Sequence, residues 1–455
     1  MGNQLDQQGP IKWVAAAVLL LAVNQGHGAE GPWRLNDALG LDNGFSLSGS
    51  FRTRMESIND GLRLANSPSD DLLTFLTFVE GQYNNGGFGA QLELIDARQS
   101  LADVDSIFGT DSLNALDVLQ ANVSYRFTAA GDTTVKLGRF TENWGSRRLL
   151  ARHRYGNNTN SFDGIWVRHV DDDNNEIRAI ATRPTRKLPS DRASLRDNRR
   201  VGDKSSDAQK FYGLYVTLPQ LSDAFITELQ AYSLQEKDTP DLSTRNRRIN
   251  SFGFRLLSTP APGRFHFETE TVLQTGTRRA TTAASDLKDL DHQSLYQYAM
   301  VGYSFDVPSR LQVWLEYSYA GGDEDPFDLD SGDFDSLFGV TTPEFAPTGM
   351  YGIFDRSNVS TPGIRVTGNL SSTVDLMFSY RHLWLAEARD TWGRTGRRDV
   401  TGESGSYLGQ QLEGRLRWDV VPGNVRIETG GVIFNTRNLA DTNTLFGYLA
   451  ATFTF

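Results

Sequence analysis

Strand-like segments joined by alternately short and long connections run along almost the whole chain, and this pattern constrains the fold more than any other feature. The segment at 311–317 is typical, because leucine, valine and tyrosine occupy one face while glutamine, tryptophan and glutamate occupy the other. A period of two residues indicates a β-strand. Connections alternate between short turns, such as Asn84-Asn85-Gly86, and long polar stretches, such as 142–160. Transmembrane barrels have short turns on one side and long loops on the other, so the pattern predicts an all-β barrel.

Eighteen such segments are predicted, and many exceed the roughly five or six residues that are usual for strands of soluble proteins. A tilted strand needs about 9–11 residues to cross a bilayer. Because hydrocarbon offers the backbone no hydrogen bonds, the strands must close on themselves. The sequence therefore predicts a single-domain outer-membrane β-barrel of 18 antiparallel strands. The segments lie at 44–56, 71–83, 87–97, 116–128, 132–141, 161–170, 175–183, 208–218, 224–235, 247–258, 264–275, 293–307, 309–320, 360–370, 373–384, 406–419, 424–434 and 445–455.

Composition excludes several other classes of protein. The mean hydropathy of −0.42 is too low for a bundle of transmembrane helices, which needs repeated apolar runs of about 20 residues. The absence of cysteine excludes a disulfide scaffold and a cysteine nucleophile, and the net charge of −11 gives no global basic footprint for nucleic acid. The basic residues comprise 38 arginines and seven lysines. The planar guanidinium of arginine binds carboxylates through two hydrogen bonds, so the excess of arginine over lysine favours anion binding. A preference for arginine codons is an alternative explanation of this excess.

The N-terminus has the features of a secretory signal peptide. An apolar run at 13–23 is too short to span a bilayer but has the length of a signal-peptide core. A buried helix is the alternative interpretation. We therefore expect a signal peptide at 1–29, a periplasmic N-terminal lead at 30–43 and the transmembrane barrel at 44–455.

Charged residues at alternating strand positions are expected to line the pore, because an arginine that faces lipid at mid-membrane costs about 2–4 kcal/mol. An 18-stranded barrel is too wide for side chains to fill, so it leaves an aqueous channel. Two interpretations stay open: the arginines are successive weak sites for an anionic solute, or paired charges brace the barrel wall. The predicted pore-lining residues are Arg52, Arg54, Arg126, Lys136, Arg168, Arg178, Arg255, Arg365, Arg381, Arg415, Arg417, Arg426, Glu228, Glu268, Glu270, Glu316, Glu413 and Glu428.

Several short motifs resemble one family of outer-membrane proteins. They include Leu-Gly-Arg-Phe at 137–140, Phe-Asp-Gly at 162–164, the stretch 317–323, Gly-Met-Tyr-Gly at 349–352 and Leu-Gly-Gln-Gln-Leu-Glu at 408–413. Together they are similar to the alginate export family over most of the chain. The resemblance implies an 18-stranded monomeric barrel that passes alginate outward through an arginine-lined constriction, with loops at each mouth. It leaves the substrate open, because many members occur in organisms that make no alginate.

From these features we expect an outer-membrane channel that passes an anionic, alginate-like polysaccharide or an acidic solute by facilitated diffusion. The first alternative is a general porin for uptake of small molecules such as organic acids, sugars or hydrophobic catabolic substrates. The second is a barrel that serves adhesion or surface assembly. Expected partners are outer-membrane lipid and lipopolysaccharide and, for an exporter, periplasmic export components. We expect a monomer that binds no nucleic acid.

No catalytic motif stands out in the sequence, which has no Gly-x-Ser-x-Gly elbow, zinc-binding His-Glu-x-x-His motif or phosphate-binding glycine loop. His266 shares a strand face with Glu268 and Glu270, and such a cluster could do acid–base work, but lumen charge is the simpler explanation. We therefore expect neither enzyme activity nor a metal or cofactor site. The acidic loop at 321–359 leaves calcium binding open.

One ion pair and one loop are predicted at the outer end of the barrel. Strict alternation would turn Arg139 towards lipid, so we expect it at the extracellular rim, paired with Asp163 as a structural clasp. The loop at 142–160 carries four arginines together with Trp144 and Tyr155. Its aromatic residues suggest that it folds inward and narrows the pore, and an outward course stays open as the alternative.

Overall fold

The computed structural model describes residues 31–64, 66–129 and 131–455, and β-strands dominate it. The prediction of 18 barrel strands is confirmed, and each strand begins and ends within three residues of the expected position. The predicted signal peptide at 1–29 lies outside the described residues. The strands are β1 Phe45–Asn59, β2 Asp70–Asn85, β3 Phe88–Ser100, β4 Asn114–Phe127, β5 Asp132–Phe140, β6 Phe162–Val170, β7 Glu176–Arg186, β8 Gln209–Leu218, β9 Ile226–Glu236, β10 Arg248–Leu257, β11 Arg264–Arg278, β12 Leu290–Ser304, β13 Gln312–Ala320, β14 Val359–Asn369, β15 Val374–Trp384, β16 Tyr407–Val421, β17 Val425–Thr436 and β18 Asn443–Thr454.

All 18 strands belong to one sheet in which each strand pairs antiparallel with its neighbours in sequence. The sheet closes where β1 pairs with β18, and Arg52 lies opposite Thr452 in that pair. Closure gives the backbone donors and acceptors of the first and last strands partners, so the barrel has no open edge there. Two-residue strands at Lys204–Ser205 and Asp330–Ser331 add to β7 and β12 within the long connections.

The connections alternate in length as predicted. The hairpin between β2 and β3 turns at Gly86 and Gly87, whose φ angles of 57° and 93° favour glycine. Both ends of the barrel chain lie at this short-turn side. The connections at the other end, which we call the long-loop side, include 141–161 and 321–358.

The segment before β1 is attached to the short-turn side. It contains the helix Leu35–Ala38. The Trp33 backbone N–H donates to Asn424 Oδ1 at 2.8 Å, and the Trp33 carbonyl accepts from Asn424 Nδ2 at 2.8 Å. The Trp33 ring also stacks on Phe453 with centroids 6.1 Å apart. The assignment of 30–43 to the periplasm stays a prediction.

Helices are few and short in the described part of the chain. The others are Arg192–Arg196, Thr342–Phe345 and the 3₁₀ turn Gly393–Thr395, all within long connections. None of the helices that the structure describes has the length and apolarity to cross a membrane.

Exposure alternates along the strands, with the apolar side chains outward. Leu315 is 63 % exposed and Phe252 is 58 % exposed, whereas the adjacent Glu316 and Ser251 are buried. The buried hydrophobic core therefore lies inside the barrel, where long connections have folded inward and contribute side chains such as Trp144.

Candidate functional site

The connection between β5 and β6, residues 141–161, folds into the barrel, and we call it inner loop A. Arg152 in this loop forms a salt bridge of 2.6 Å with Glu93 of β3. Arg52 of β1 donates hydrogen bonds to the carbonyls of Arg154 at 2.6 Å and Gly156 at 2.8 Å. Because Glu93 lies near the middle of its strand, inner loop A reaches about halfway down the barrel.

A second connection, residues 321–358, meets inner loop A inside the barrel, and we call it inner loop B. The Val340 N–H donates to the Arg147 carbonyl at 3.0 Å. At another point the Met350 N–H donates to the carboxylate of Glu56 at 2.7 Å, and Glu56 also holds Arg54 at 2.7 Å. Strand β1 therefore fixes both inner loops.

A buried arginine joins the inner loops to the opposite wall. Arg148 of inner loop A forms salt bridges with Glu268 and Glu270 of β11 and with Glu344 of inner loop B. Its guanidinium also lies 3.8 Å from the ring centroid of Tyr298. We call these residues the Arg148 cluster. Breaking a buried ion pair costs far more than breaking an exposed one, so the cluster fastens the loops strongly.

Glu344 is held by a second cation. Arg356 Nε donates to Glu344 Oε2 at 2.7 Å. Burial alone would raise the pKa of Glu344, but Arg148 and Arg356 together hold it below its usual value. The carboxylate therefore stays ionised as the common partner of both arginines.

A cavity of about 1350 Å³ remains between the inner loops and the barrel wall. Its wall consists mainly of β1–β3 and β16–β18. It extends from Asn424 and Thr454 at the short-turn end to Tyr155 of inner loop A. Binding pockets for small molecules are usually about 300–1,000 Å³, so this space can hold one or more small solutes with water.

Positive charge exceeds negative charge on the cavity lining. Among the described residues, nine arginines and one lysine face four glutamates and one aspartate. The cations are Arg52, Arg54, Lys136, Arg147, Arg152, Arg154, Arg365, Arg415, Arg417 and Arg426, and the acids are Glu80, Glu93, Glu413, Asp419 and Glu428.

The cavity cations fall into two groups. Six are neutralised by salt bridges: Arg54 with Glu56, Lys136 with Glu142, Arg152 with Glu93, Arg365 with Glu316, Arg417 with Glu428 and Arg426 with Asp419. Within the described residues the other four form no salt bridge, and we call them the unpaired arginines: Arg52, Arg147, Arg154 and Arg415.

The unpaired arginines differ from the other cavity cations in their hydrogen bonding and in their electrostatics. The Nε atoms of Arg52 and Arg415 are buried, and neither has a hydrogen-bond partner in the part of the chain that the structure describes. Burial and the neighbouring Arg154 lower the pKa of Arg147. Such groups gain from an anion, because it supplies the missing acceptor and compensates their mutual repulsion.

Half of the predicted pore-lining residues line this cavity. The sequence did not place Arg147, Arg152 and Arg154 in the site, since strand alternation says nothing about loop residues. The predicted residues that line it are Arg52, Arg54, Lys136, Arg365, Arg415, Arg417, Arg426, Glu413 and Glu428.

The other predicted residues lie away from the cavity, in ion pairs. Their role in conduction stays a prediction. Arg126 binds Asp132 at the short-turn end, Arg168 and Arg178 share Glu176, Arg255 binds Glu228 and Glu268, Arg381 binds Glu316, and Glu270 belongs to the Arg148 cluster.

The structure places Arg139 beside Asp163 at the long-loop end of β5 and β6. Arg139 Nε donates to one carboxylate oxygen at 2.7 Å and Nη2 donates to the other at 3.1 Å. The Arg139 Nη1 atom also donates to the carbonyls of Val118 and Asp203, each at 3.2 Å. Its function as a clasp stays a prediction.

The described residues contain no group of three or more histidine or carboxylate side chains that could hold a metal ion. Within the acidic inner loop B, Asp335 instead binds Arg247 at 2.8 Å, and Ser357 donates to Asp333 at 2.9 Å. The geometry gives the calcium alternative no support.

The barrel is similar in fold to solved outer-membrane proteins of Pseudomonas aeruginosa. OccD3 (OpdP) is 14 % identical, the alignment covers 91 % of both chains, and the TM-score is 0.56. The outer membrane protein OpdK is 13 % identical, with 90 % of this chain and 99 % of that chain covered and a TM-score of 0.57. OccK2 (OpdF), solved in complex with glucuronate, is 11 % identical, with 90 % and 96 % covered and a TM-score of 0.55.

No curated protein sequence matches this chain significantly. The model of the alginate export family, in contrast, matches residues 44–438, which is nearly the whole barrel. The family and the closed 18-stranded fold are those of channels in the cell outer membrane. This chain belongs to the alginate export family of outer-membrane channel proteins.

Proposed function

We propose that this outer-membrane channel passes small carboxylate solutes by facilitated diffusion, with the unpaired arginines as their binding groups. The presence of these four guanidinium groups on one aqueous cavity carries the proposal. A guanidinium binds a carboxylate through two parallel hydrogen bonds, which replace the hydration that the solute loses on entry. The paired acids on the same wall limit how long an anion stays, as conduction requires.

The inner loops favour a small solute over a polysaccharide. They are joined to each other and to opposite walls by the Arg148 cluster and by Glu56. A threading polymer would have to displace both loops and break buried ion pairs, at about 3–5 kcal/mol for each partner removed. A small acid only has to enter the cavity.

Two proteins of similar fold support the same chemical class. OccK2 (OpdF) was solved with glucuronate and OpdK with vanillate, and both ligands carry a carboxylate. At identities of 11 % and 12 %, these comparisons show a shared fold and nothing about individual binding residues. The inference for this chain therefore rests on its own arginines.

We propose transport rather than catalysis. Glu268 and Glu270, which share a face with His266, both bind Arg148 in the structure. Glu268 also binds Arg255 at 3.0 Å. Carboxylates that neutralise buried arginines are committed to the protein interior, so the acid–base interpretation loses its reacting groups.

Replacing Arg415 by glutamine should weaken the preference of the channel for anions. The side chain is unpaired, so its removal subtracts a whole positive charge from the cavity. The measurement is the reversal potential of a planar bilayer in a salt gradient. The control is the double variant Arg417→Gln/Glu428→Gln, which removes a salt bridge from the same strand face at constant net charge and should match the wild type.

Glucuronate should also interrupt the ion current of the wild-type channel and of the Arg417→Gln/Glu428→Gln control. It should do so less in the Arg415→Gln variant, which lacks one binding group. A wild-type channel that prefers cations, or equal responses in the two variants, would contradict the proposed function.

A further inference from the structure

A row of polar and charged side chains crosses the outward face of four neighbouring strands near the long-loop side. Lys210 of β8 lies opposite Gln235 of β9, and Gln235 lies opposite Arg248 of β10. Arg183 of β7 comes next to Lys210, because the preceding pair in the register is Thr182 with Phe211. All four members of the row are exposed, and we call them the outer row.

The outer row carries an excess of positive charge. Lys210 and Arg248 have no salt bridge and no side-chain hydrogen bond within the described residues. Arg183 binds the exposed carboxylate of Asp207 at 2.8 Å. The pKa of Asp207 is lowered chiefly by Arg183 and to a smaller extent by Lys237 and Lys210. Three cations, Arg183, Lys210 and Lys237, thus act on this single carboxylate.

Other outward-facing arginines near this end of the barrel have carboxylate partners. Arg98 of β3 binds Asp96 at 3.0 Å, and Arg139 of β5 binds Asp163 at 2.7 Å. An outward-facing arginine near the long-loop side can therefore have a carboxylate partner within the chain. The unpaired cations of the outer row call for a counter-charge from outside the chain.

The outer row lies at the boundary of the apolar band. Towards the short-turn side on the same faces, β8 exposes Tyr212 and Leu214, and β10 exposes Phe252 and Phe254. Aromatic residues mark the level where hydrocarbon meets headgroups. Charged residues cost little there, in contrast to the mid-membrane. Because the long loops of outer-membrane barrels face outward, this boundary belongs to the outer leaflet.

We propose that the outer row binds the phosphate groups of lipopolysaccharide, the anionic lipid of that leaflet. Arg248 offers a phosphate two parallel donors, Lys210 offers a point charge, and the Gln235 amide lies between them. Two strand spacings separate Lys210 from Arg248, about 10 Å, so they contact separated anionic groups of one headgroup region. Lipid bound here would cover one side of the barrel and leave the cavity free.

The test measures binding of the full-length protein in detergent to lipopolysaccharide. Each cation near an anionic membrane surface contributes to attraction, so the Lys210→Gln/Arg248→Gln variant should bind about 30-fold more weakly. The Arg98→Gln variant removes an exposed arginine at the same end that already has a partner, and it should bind like the wild type. Single-channel conductance, which should be unchanged in both variants, reports that the barrel is folded.

Two further arms make the result decisive. The charge-preserving variant Lys210→Arg/Arg248→Lys should retain binding within a few-fold, because the positive charge and the height in the membrane are kept. Inorganic phosphate should compete poorly, since it lacks the acyl chains that hold the headgroup at this level. Equal binding by the neutral variant and the wild type would overturn the proposal, and so would inorganic phosphate that competes as well as the lipid.

Discussion

Replacing residues 146–156 of inner loop A by a short glycine linker should raise the single-channel conductance several-fold and reduce the preference for anions. The loop lies across the bore, where Arg52 and Arg54 of β1 hold its backbone carbonyls. Its removal opens a lumen that 18 strands make wide enough for an aqueous channel. Anion preference should fall because Arg147 and Arg154 leave with the loop. Single-channel recordings and reversal potentials measure both effects.

The matched control shortens the connection between β11 and β12 by deleting residues 281–287. Nearly all of these residues are exposed, and none of them lines the cavity. We expect wild-type conductance and selectivity from this variant. A deletion of 146–156 that conducted like the control would mean that inner loop A does not obstruct the ion path, and the size argument against a polysaccharide would fail with it.

The fold could be predicted from the sequence because every signal that specifies it is local. Alternation of side chains within one segment, as in 311–317, identifies a strand without knowledge of its neighbours. A glycine pair such as Gly86-Gly87 identifies a tight turn in the same way. Eighteen segments with alternating connection lengths then leave a closed barrel as the consistent arrangement.

The charge state of the site could not be predicted because it depends on contacts between segments. Alternation predicted that Arg255 faces inward, but its partners Glu228 and Glu268 lie on the strands either side. Only the register brings them together. Arg415 has the same sequence signature as Arg255, yet no carboxylate on a neighbouring strand reaches it among the described residues. An arginine that braces the wall and one that can bind a solute therefore look alike in sequence.

Loop residues were harder still. Arg147 and Arg154 lie in a segment without periodicity, so no rule assigned them a face. The aromatic residues Trp144 and Tyr155 were the available signal, and both proved to pack inside the barrel, where Tyr155 lies edge-on to Tyr448 at 5.4 Å. Aromatic residues in a polar loop made an inward course one of two open interpretations, and the sequence could not decide between them because the partners that bury these residues come from distant strands.

Replacing Arg148 by methionine should destabilise the barrel by about 3–5 kcal/mol, the usual cost of leaving a buried charge without its partner. Of the three carboxylates that Arg148 binds, Glu270 is the one that the substitution leaves without a cation in the described part of the chain. Glu268 keeps Arg255 at 3.0 Å and Glu344 keeps Arg356 at 2.7 Å, whereas within the described residues Glu270 retains only the amide of Gln230 at 2.7 Å. The temperature at which the purified barrel unfolds in detergent measures the effect, and protease cleavage within 146–156 shows whether inner loop A detaches first.

A second substitution distinguishes an orphaned charge from lost packing. Adding Glu270→Gln to Arg148→Met removes the unpaired carboxylate and should recover much of the lost stability, because an amide is cheaper to bury than a charge. Arg426→Met is the control: it breaks a salt bridge with Asp419 whose side chains are 46 % and 31 % exposed, and such pairs contribute about 0–1 kcal/mol. If Arg148→Met proved no less stable than Arg426→Met, the Arg148 cluster could not be what holds the inner loops across the bore.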